Sequence, residues 1–136
     1  KSGHSFLTSG PILEFEVEGQ GPGGEVLTSE SVLHGHLRVR AAPWVDVTSV
    51  EIVVGGRSVA TYPVTPRPQA LGPELGTREE AFARTIRFDS EMTIPILPSD
   101  TWLHVLVRGT RHHYTILPFM PYAPFAFSNP VWIRRR

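Results

Sequence analysis

Two histidines separated by one glycine, His34 and His36, are the first residues whose type and spacing could support chemistry. In an extended strand they project from the same face about 7 Å apart, and two such imidazoles can chelate zinc or a related metal. A third ligand is required, and His104 or a carboxylate on a neighbouring strand could supply it. The favoured interpretation is an ordinary solvated face, because Arg38 and Arg40 continue the same row and repel a cation, so no metal site is predicted.

Three alternating glutamates, Glu14, Glu16 and Glu18, are candidates for acid–base catalysis. On a flat outer face they would be solvated, without the pocket that shifts a pKa.

The adjacent pair His112-His113 lies in a loop, where consecutive side chains point apart. The absence of cysteine excludes disulfides, thiolate metal sites and cysteine nucleophiles. The sequence therefore predicts no catalytic residue and no cofactor.

Aromatic residues suggest a second kind of site. On one face of a β-sheet they could form a platform on which sugar rings stack, although core packing is the favoured interpretation for most of them. The aromatic residues considered are Trp44, Trp102, Tyr114, Tyr122 and Trp132.

A proline-aromatic repeat covers residues 117–127. Because polyproline II has three residues per turn, aromatic residues at every third position form one stripe. These aromatic residues are Phe119, Tyr122 and Phe125. With Phe6 and Leu7 they are candidates for a surface that docks on a partner or neighbouring domain. The favoured interpretation of the stripe itself is a segment that covers an open end of the core.

The segment 101–109 is predicted to form the strand around which the rest of the sheet is arranged. Leu103, Val105 and Val107 alternate with polar and aromatic residues, which predicts a strand in the middle of a sheet. Segments 12–18 and 32–41 alternate in the same way. We expect them to pair antiparallel with Glu16 opposite Arg38, so that an acidic row faces a basic row.

Segment 49–62 is predicted to be a hairpin with Gly55-Gly56 at its turn and Val59 opposite Ile52. Residues 63–80 are predicted to be a long loop with a short helical turn near 77–81, and strand character resumes over 81–97 with an interruption at Asp89-Ser90. The pattern indicates an all-β fold, an immunoglobulin-like antiparallel β-sandwich of seven to eight strands. Residues 12–133 form the sandwich, residues 1–11 a linker or first edge segment, and residues 134–136 a basic tail.

Composition limits the partners. The 136 residues suit one domain, and 13 basic against 13 acidic residues give no electrostatic preference for nucleic acid. No apolar run approaches the ~20 residues of a membrane helix. We therefore expect neither a nucleic-acid nor a membrane partner. The start at Lys1, without methionine, suggests a piece cut from a longer protein.

Four segments resemble, in the same order, the C-terminal β-domain of PHP-type metallohydrolases related to carbaryl hydrolase. Residues 3–13 resemble the segment G-R-S-F-V-T-N-G-P-L-L, which joins that domain to the catalytic domain. Residues 40–44 with 47–55 resemble A-P-W followed by V-x-x-V-E-I-V-x-N-G. Residues 100–109 resemble D-S-W followed by V-x-V-x-G, and residues 127–133 resemble T-N-P-I-Y-V.

The resemblance implies a non-catalytic accessory domain at the C-terminus of a bacterial metal-dependent hydrolase. Its partner would be the upstream catalytic domain of the same chain, which holds the family's metal ligands. His34 and His36 copy a ligand spacing of that family but lie in the wrong domain, so no ligand role is transferred to them. A homodimer of the isolated fragment through exposed edges is a further expectation. The alternative function is a stand-alone carbohydrate- or protein-binding module.

Overall fold

The computed structural model describes residues 5–42, 45–65, 77–110 and 123–136. Within these ranges the chain forms ten β-strands and one α-helix, α1 (Arg78–Thr85). The strands are β1 (Phe6–Thr8), β2 (Ile12–Val17), β3 (Glu25–Thr28), β4 (Val32–Arg40), β5 (Ser49–Val54), β6 (Arg57–Pro63), β7 (Ile86–Pro95), β8 (Thr101–Arg108), β9 (Phe125–Ser128) and β10 (Val131–Arg135). The strand number exceeds the prediction because β1, β3 and β9 are four residues or shorter, too short to show a clear alternation.

The strands form two sheets. In the large sheet β8 is central, with β5 and then β6 on one side and β9 and β10 along successive parts of the other side. Strand β1 extends this sheet beyond β9, and β3 extends it beyond β10. The small sheet has the order β2-β4-β7. Strands β10 and β3 pair in parallel, so the prediction of a purely antiparallel sandwich is wrong at this pair.

The inner faces of the two sheets share one hydrophobic core. Leu37 contributes from the small sheet, and Leu103 and Val105 from the large sheet, each with 0% exposure. The predicted central strand is confirmed, because both edges of β8 are paired. The domain is an all-β, immunoglobulin-like β-sandwich, as the alternating pattern predicts.

The hairpin formed by β5 and β6 confirms the predicted two-glycine turn. Gly55 and Gly56 have φ values of 56° and 81°, which residues other than glycine adopt at a steric cost. The predicted partner of Ile52 is wrong by one residue, since Ile52 pairs with Ala60. An irregularity between Ile52 and Val53 makes Val59 an extra residue on β6, and such bulges leave little signal in the alternation.

Helix α1 replaces the start of the strand predicted over 81–97. Thr77 caps the helix, accepting a hydrogen bond from the Glu80 N–H at 3.2 Å, and the Glu80 side chain accepts from the Thr77 N–H at 2.8 Å. This reciprocal capping box favours a helix over an extended chain. The predicted helical turn is therefore correct in place but too short. Strand β7 then runs without a break through Asp89-Ser90, against the prediction.

Gly35 marks a close approach between β2 and β4. It is buried in the middle of β4 and pairs with Val17 at the end of β2. A Cβ atom on Gly35 would lie 2.7 Å from the Glu16 carbonyl oxygen and 3.0 Å from Val17 Cγ2. Only glycine fits without a shift of the strands.

The two ends of the described chain are strands of the large sheet. Strand β1, which lies within the segment predicted to be a linker or a first edge segment, pairs with β9. Strand β10 continues to Arg135, so the prediction of a basic tail from Arg134 is wrong for its first two residues. Pairing with β3 extends the strand beyond the last apolar residue, Ile133. Among the described residues, no helix has the length and apolar character needed to cross a membrane.

Candidate functional site

The outer face of the small sheet carries three rows of charged and polar side chains, which we call the charged face. The row on β4 is basic, and the rows on the flanking strands are largely acidic. The basic row consists of His34, His36, Arg38 and Arg40, and the acidic rows consist of Glu14 and Glu16 on β2 and of Asp89 and Glu91 on β7. Complementary pairs of this kind contribute about 0.2–1 kcal/mol each.

The predicted pairing of β2 with β4 is wrong by two residues. Glu14, not Glu16, lies opposite Arg38, and Glu16 lies opposite His36. Glu14 also contacts Arg40 diagonally, because its Oε1 accepts a hydrogen bond from that guanidinium at 2.9 Å, while its Oε2 lies 3.7 Å from Arg38 Nη1. A slip of two residues keeps each side chain on its face, so the alternation alone does not fix the register.

Asp89 connects two members of the basic row. Its Oδ1 is hydrogen-bonded to His36 Nε2 at 2.6 Å, and its Oδ2 accepts from Arg38 Nε at 3.0 Å. The hydrogen bond with His36, and then the Arg38 guanidinium, hold the pKa of the Asp89 carboxyl below its usual value. The carboxylates of Glu14 and Asp89 are therefore paired with arginines of β4 within the sheet.

The structure does not bring the three candidate metal ligands together. His34 and His36 project from β4 on the charged face. His104 projects from β8 on the outer face of the large sheet, across the core from the other two. No group of three or more potential metal ligands is found within the ranges that the structure describes. The pair His112-His113 lies outside those ranges.

One end of the large sheet carries a cluster of apolar side chains on its outer face. Leu7 pairs with Phe127, which pairs with Leu106, so these three side chains form one row across β1, β9 and β8. Phe125 joins the row by stacking on Phe127, with ring centroids 6.4 Å apart. Leu7 is 56% exposed and Phe127 is 39% exposed. We call these four residues the apolar edge.

The apolar edge includes part of the predicted docking surface. Leu7 and Phe125 belong to it, whereas Phe6 is exposed on β1 but alternates to the other face of the strand. Phe119 and Tyr122 lie outside the described residues, and so does most of the predicted aromatic stripe. Phe127 and Leu106 were not predicted, because their place beside Leu7 follows from strand pairing and not from local spacing.

The opposite end of the same face carries two tryptophans, which we call the tryptophan pair. Trp102 on β8 and Trp132 on β10 are register partners, with ring centroids 6.4 Å apart and planes inclined at 56°. They are 41% and 43% exposed, so the core packing favoured for most aromatic residues does not apply to these two. Of the other proposed platform residues, Trp44, Tyr114 and Tyr122 lie outside the described ranges.

Polar side chains border the tryptophan pair on one side. Glu25 lies beside Trp132 as its partner on β3. Arg134 Nε donates to Glu25 Oε2 at 3.2 Å, and its Nη1 donates to Asp100 Oδ2 at 3.2 Å. The backbone N–H of Arg135 donates to Asp100 Oδ1 at 2.8 Å. We call Glu25, Asp100 and Arg134 the polar border.

The hydrogen bonds of the polar border stabilise its charged forms. The backbone N–H of Arg135, and then the Arg134 guanidinium, hold the pKa of the Asp100 carboxyl below its usual value. Glu25, followed by Asp100, raises the pKa of Arg134. The border was not predicted from the sequence, because its three residues come from segments that are distant along the chain.

His104 lies on the other side of Trp102, two residues along β8, opposite Val53. It is half-buried, and this loss of solvation lowers the pKa of its imidazole, while the nearby Glu51 carboxylate partly opposes the shift. The neutral imidazole is therefore favoured at pH 7, with one nitrogen that donates a hydrogen bond and one that accepts.

The comparisons with known proteins give one structural likeness. No family model and no curated protein matches the chain. Among solved structures, the chain is similar to the CARDB domain of a protein from Pyrococcus furiosus, which was crystallised in complex with di-metal ions. The two share 13% sequence identity, the TM-score is 0.42, and the match covers 93% of this chain and 96% of that chain.

Proposed function

We propose that this immunoglobulin-like β-sandwich is a non-catalytic accessory domain that docks, through the apolar edge, on the catalytic domain of a larger bacterial metal-dependent hydrolase. The observation that carries the proposal is the row of Leu7, Phe127 and Leu106 on the outer face of the large sheet. Apolar side chains that adjoin on an exposed sheet face favour a site of protein contact.

The contrast between the two outer faces supports a docking role for this end of the molecule. On the charged face, Glu14 and Asp89 are held by arginines of β4. At the apolar edge the principal charged contact is a rim pair, with Arg108 Nη1 3.6 Å from Glu51 Oε2. An apolar centre with a charged rim is the usual composition of a protein interface.

The place where the chain enters the sandwich favours an upstream domain as the partner. Asn129 holds Ser5 by two hydrogen bonds, from its Nδ2 to Ser5 Oγ at 2.8 Å and from its N–H to the Ser5 carbonyl at 3.1 Å. A domain joined before Ser5 would therefore be tethered two residues from Leu7. Such a tether gives a high effective concentration, so a small apolar contact is enough for docking.

The resemblance of residues 3–13 to the joining segment of PHP-type metallohydrolases supports the same partner, because that segment includes Leu7. The proposal assigns the metal and the hydrolytic residues to the upstream domain. Reading the gene upstream of Lys1 tests this origin, and a histidine- and aspartate-rich catalytic domain is expected there.

Paired substitutions in the full-length protein test the docking. Leu7→Ser together with Phe127→Ser removes the exposed apolar contact, and we expect the domain to detach, with a larger radius of gyration in solution scattering and faster proteolysis before residue 5. Ile12→Ser is the matched control, because Ile12 is 40% exposed but lies on the outer face of the small sheet. An unchanged radius and cleavage rate in the double variant, or the same change in the control, would refute the docking.

A further inference from the structure

The tryptophan pair is separate from the apolar edge, although both lie on the outer face of the large sheet. Leu106 of the apolar edge lies four residues along β8 from Trp102, which in an extended strand is about 13 Å. Trp102 and Trp132 form a compact pair of indoles where β8 meets β10. The tryptophan pair therefore offers a surface for a ligand other than a docked protein domain.

We propose that the tryptophan pair and its polar border bind pyranose rings of a neutral polysaccharide. The face of a pyranose ring presents C–H groups, which pack on the electron-rich face of an indole. Its edge presents hydroxyl groups, which need hydrogen-bond donors and acceptors next to the ring. A site for such a ligand therefore combines exposed aromatic faces with polar groups at their margin.

The polar border retains the hydrogen-bonding groups that this ligand needs. Among the described residues, Glu25 Oε1 accepts no hydrogen bond and Arg134 Nη2 donates none. The indole N–H groups of Trp102 and Trp132 also have no partner within the described ranges. The ion pairs with Arg134 hold the carboxylates of Glu25 and Asp100 in place, so little conformational entropy is lost when a hydroxyl group binds.

Charge and shape favour a neutral polymer. Arg134 brings one positive charge against the two carboxylates that it contacts, and His104 on the other side is largely neutral at pH 7, so no surplus of positive charge awaits an acidic sugar. The indoles lie on the open surface of a sheet, which an extended chain can cross. A proline-rich peptide, another ligand that stacks on aromatic residues, binds in an aromatic-lined groove.

Native gel electrophoresis with polysaccharide in the gel tests this site on the chain itself, without an upstream domain. The probes are soluble β-glucan, xylan and galactomannan, with alginate as the acidic comparison. We expect at least one neutral polysaccharide to retard the protein, and Trp102→Ala or Trp132→Ala to weaken that retardation about tenfold or more. Glu25→Gln, which keeps both indoles, is expected to weaken it less. Phe127→Ala at the apolar edge is the control and is expected to leave it unchanged.

The outcomes separate this proposal from the proposed docking. Unfolding midpoints in urea confirm that each variant is folded before its mobility is compared. Retardation by none of the neutral polysaccharides, retardation by alginate alone, or full retardation of folded tryptophan variants would overturn the polysaccharide site. None of these results bears on the apolar edge, which is tested by Leu7→Ser and Phe127→Ser in the full-length protein.

Discussion

Replacing Gly35 with alanine is expected to destabilise the domain through one added methyl group. The new Cβ would lie 2.7 Å from the Glu16 carbonyl oxygen, a separation below the 3.0 Å that real Cβ atoms keep. The Val17 side chain blocks a second direction at 3.0 Å. Strands β2 and β4 must therefore separate by a few tenths of an ångström at a buried position, and such overpacking costs about 1–3 kcal/mol.

An effect on the unfolded state offsets part of this loss of stability. Alanine restricts the unfolded state more than glycine does, which contributes about 0.4–1 kcal/mol in favour of the variant. We therefore expect a net loss of about 1–2 kcal/mol in the free energy of unfolding. With a urea dependence of about 2 kcal/mol per molar, the midpoint falls by about 0.5–1 M while the slope is unchanged.

Equilibrium unfolding in urea, followed by circular dichroism, measures this change. His34→Ala is the matched control, because His34 adjoins Gly35 on β4 but is exposed on the charged face. Its effect is expected to stay within about 0.5 kcal/mol. A midpoint for Gly35→Ala equal to or above that of the unchanged protein would refute the close approach of β2 and β4.

Three further perturbations follow from single contacts. Leu37→Ala, at a position with 0% exposure, is expected to cost about 2–5 kcal/mol in urea unfolding, and a loss below 1 kcal/mol would contradict its place in the core. The lowered pKa of Asp89 makes its contribution to stability complete above about pH 4 and lost as the pH falls through the folded-state value. Carboxyl NMR titration is expected to show that His36→Ala raises this pKa towards 3.8, and no rise would contradict the hydrogen bond. Thr77→Ala removes half of the capping box and is expected to weaken α1 by about 1 kcal/mol, seen as faster amide exchange in the helix with little change in global unfolding, because no helix residue is buried.

The sequence predicts which face of each strand is buried better than it predicts how the strands pair. Period-two alternation identifies the faces of β2, β4 and β8 correctly, because each strand buries one face against the core. It does not determine the register of β2 against β4, since a slip of two residues leaves every face unchanged. The bulge at Val59 and the parallel pairing of β3 with β10 depend on contacts between distant segments.

The candidate sites, too, could be predicted from the sequence only in part. Exposure of Leu7, and the aromatic character of Trp102 and Trp132, can be proposed from the sequence. Their neighbours cannot, because Phe127 reaches Leu7 through pairing across more than a hundred residues. The polar border likewise joins residues from three separate segments, so its ion pairs become visible only when the strand order is known.

Hydroxyl-radical footprinting of the full-length protein and of this chain alone tests most directly the claim that the outer face of the large sheet carries the contacts of the domain. We expect Leu7 and Phe127 to be protected in the full-length protein while Ile12 reacts equally in both. We also expect Trp102 and Trp132 to remain reactive until a neutral polysaccharide is added. Protection of Ile12 with unchanged reactivity of Leu7 and Phe127 would show that the domain docks through the small sheet instead.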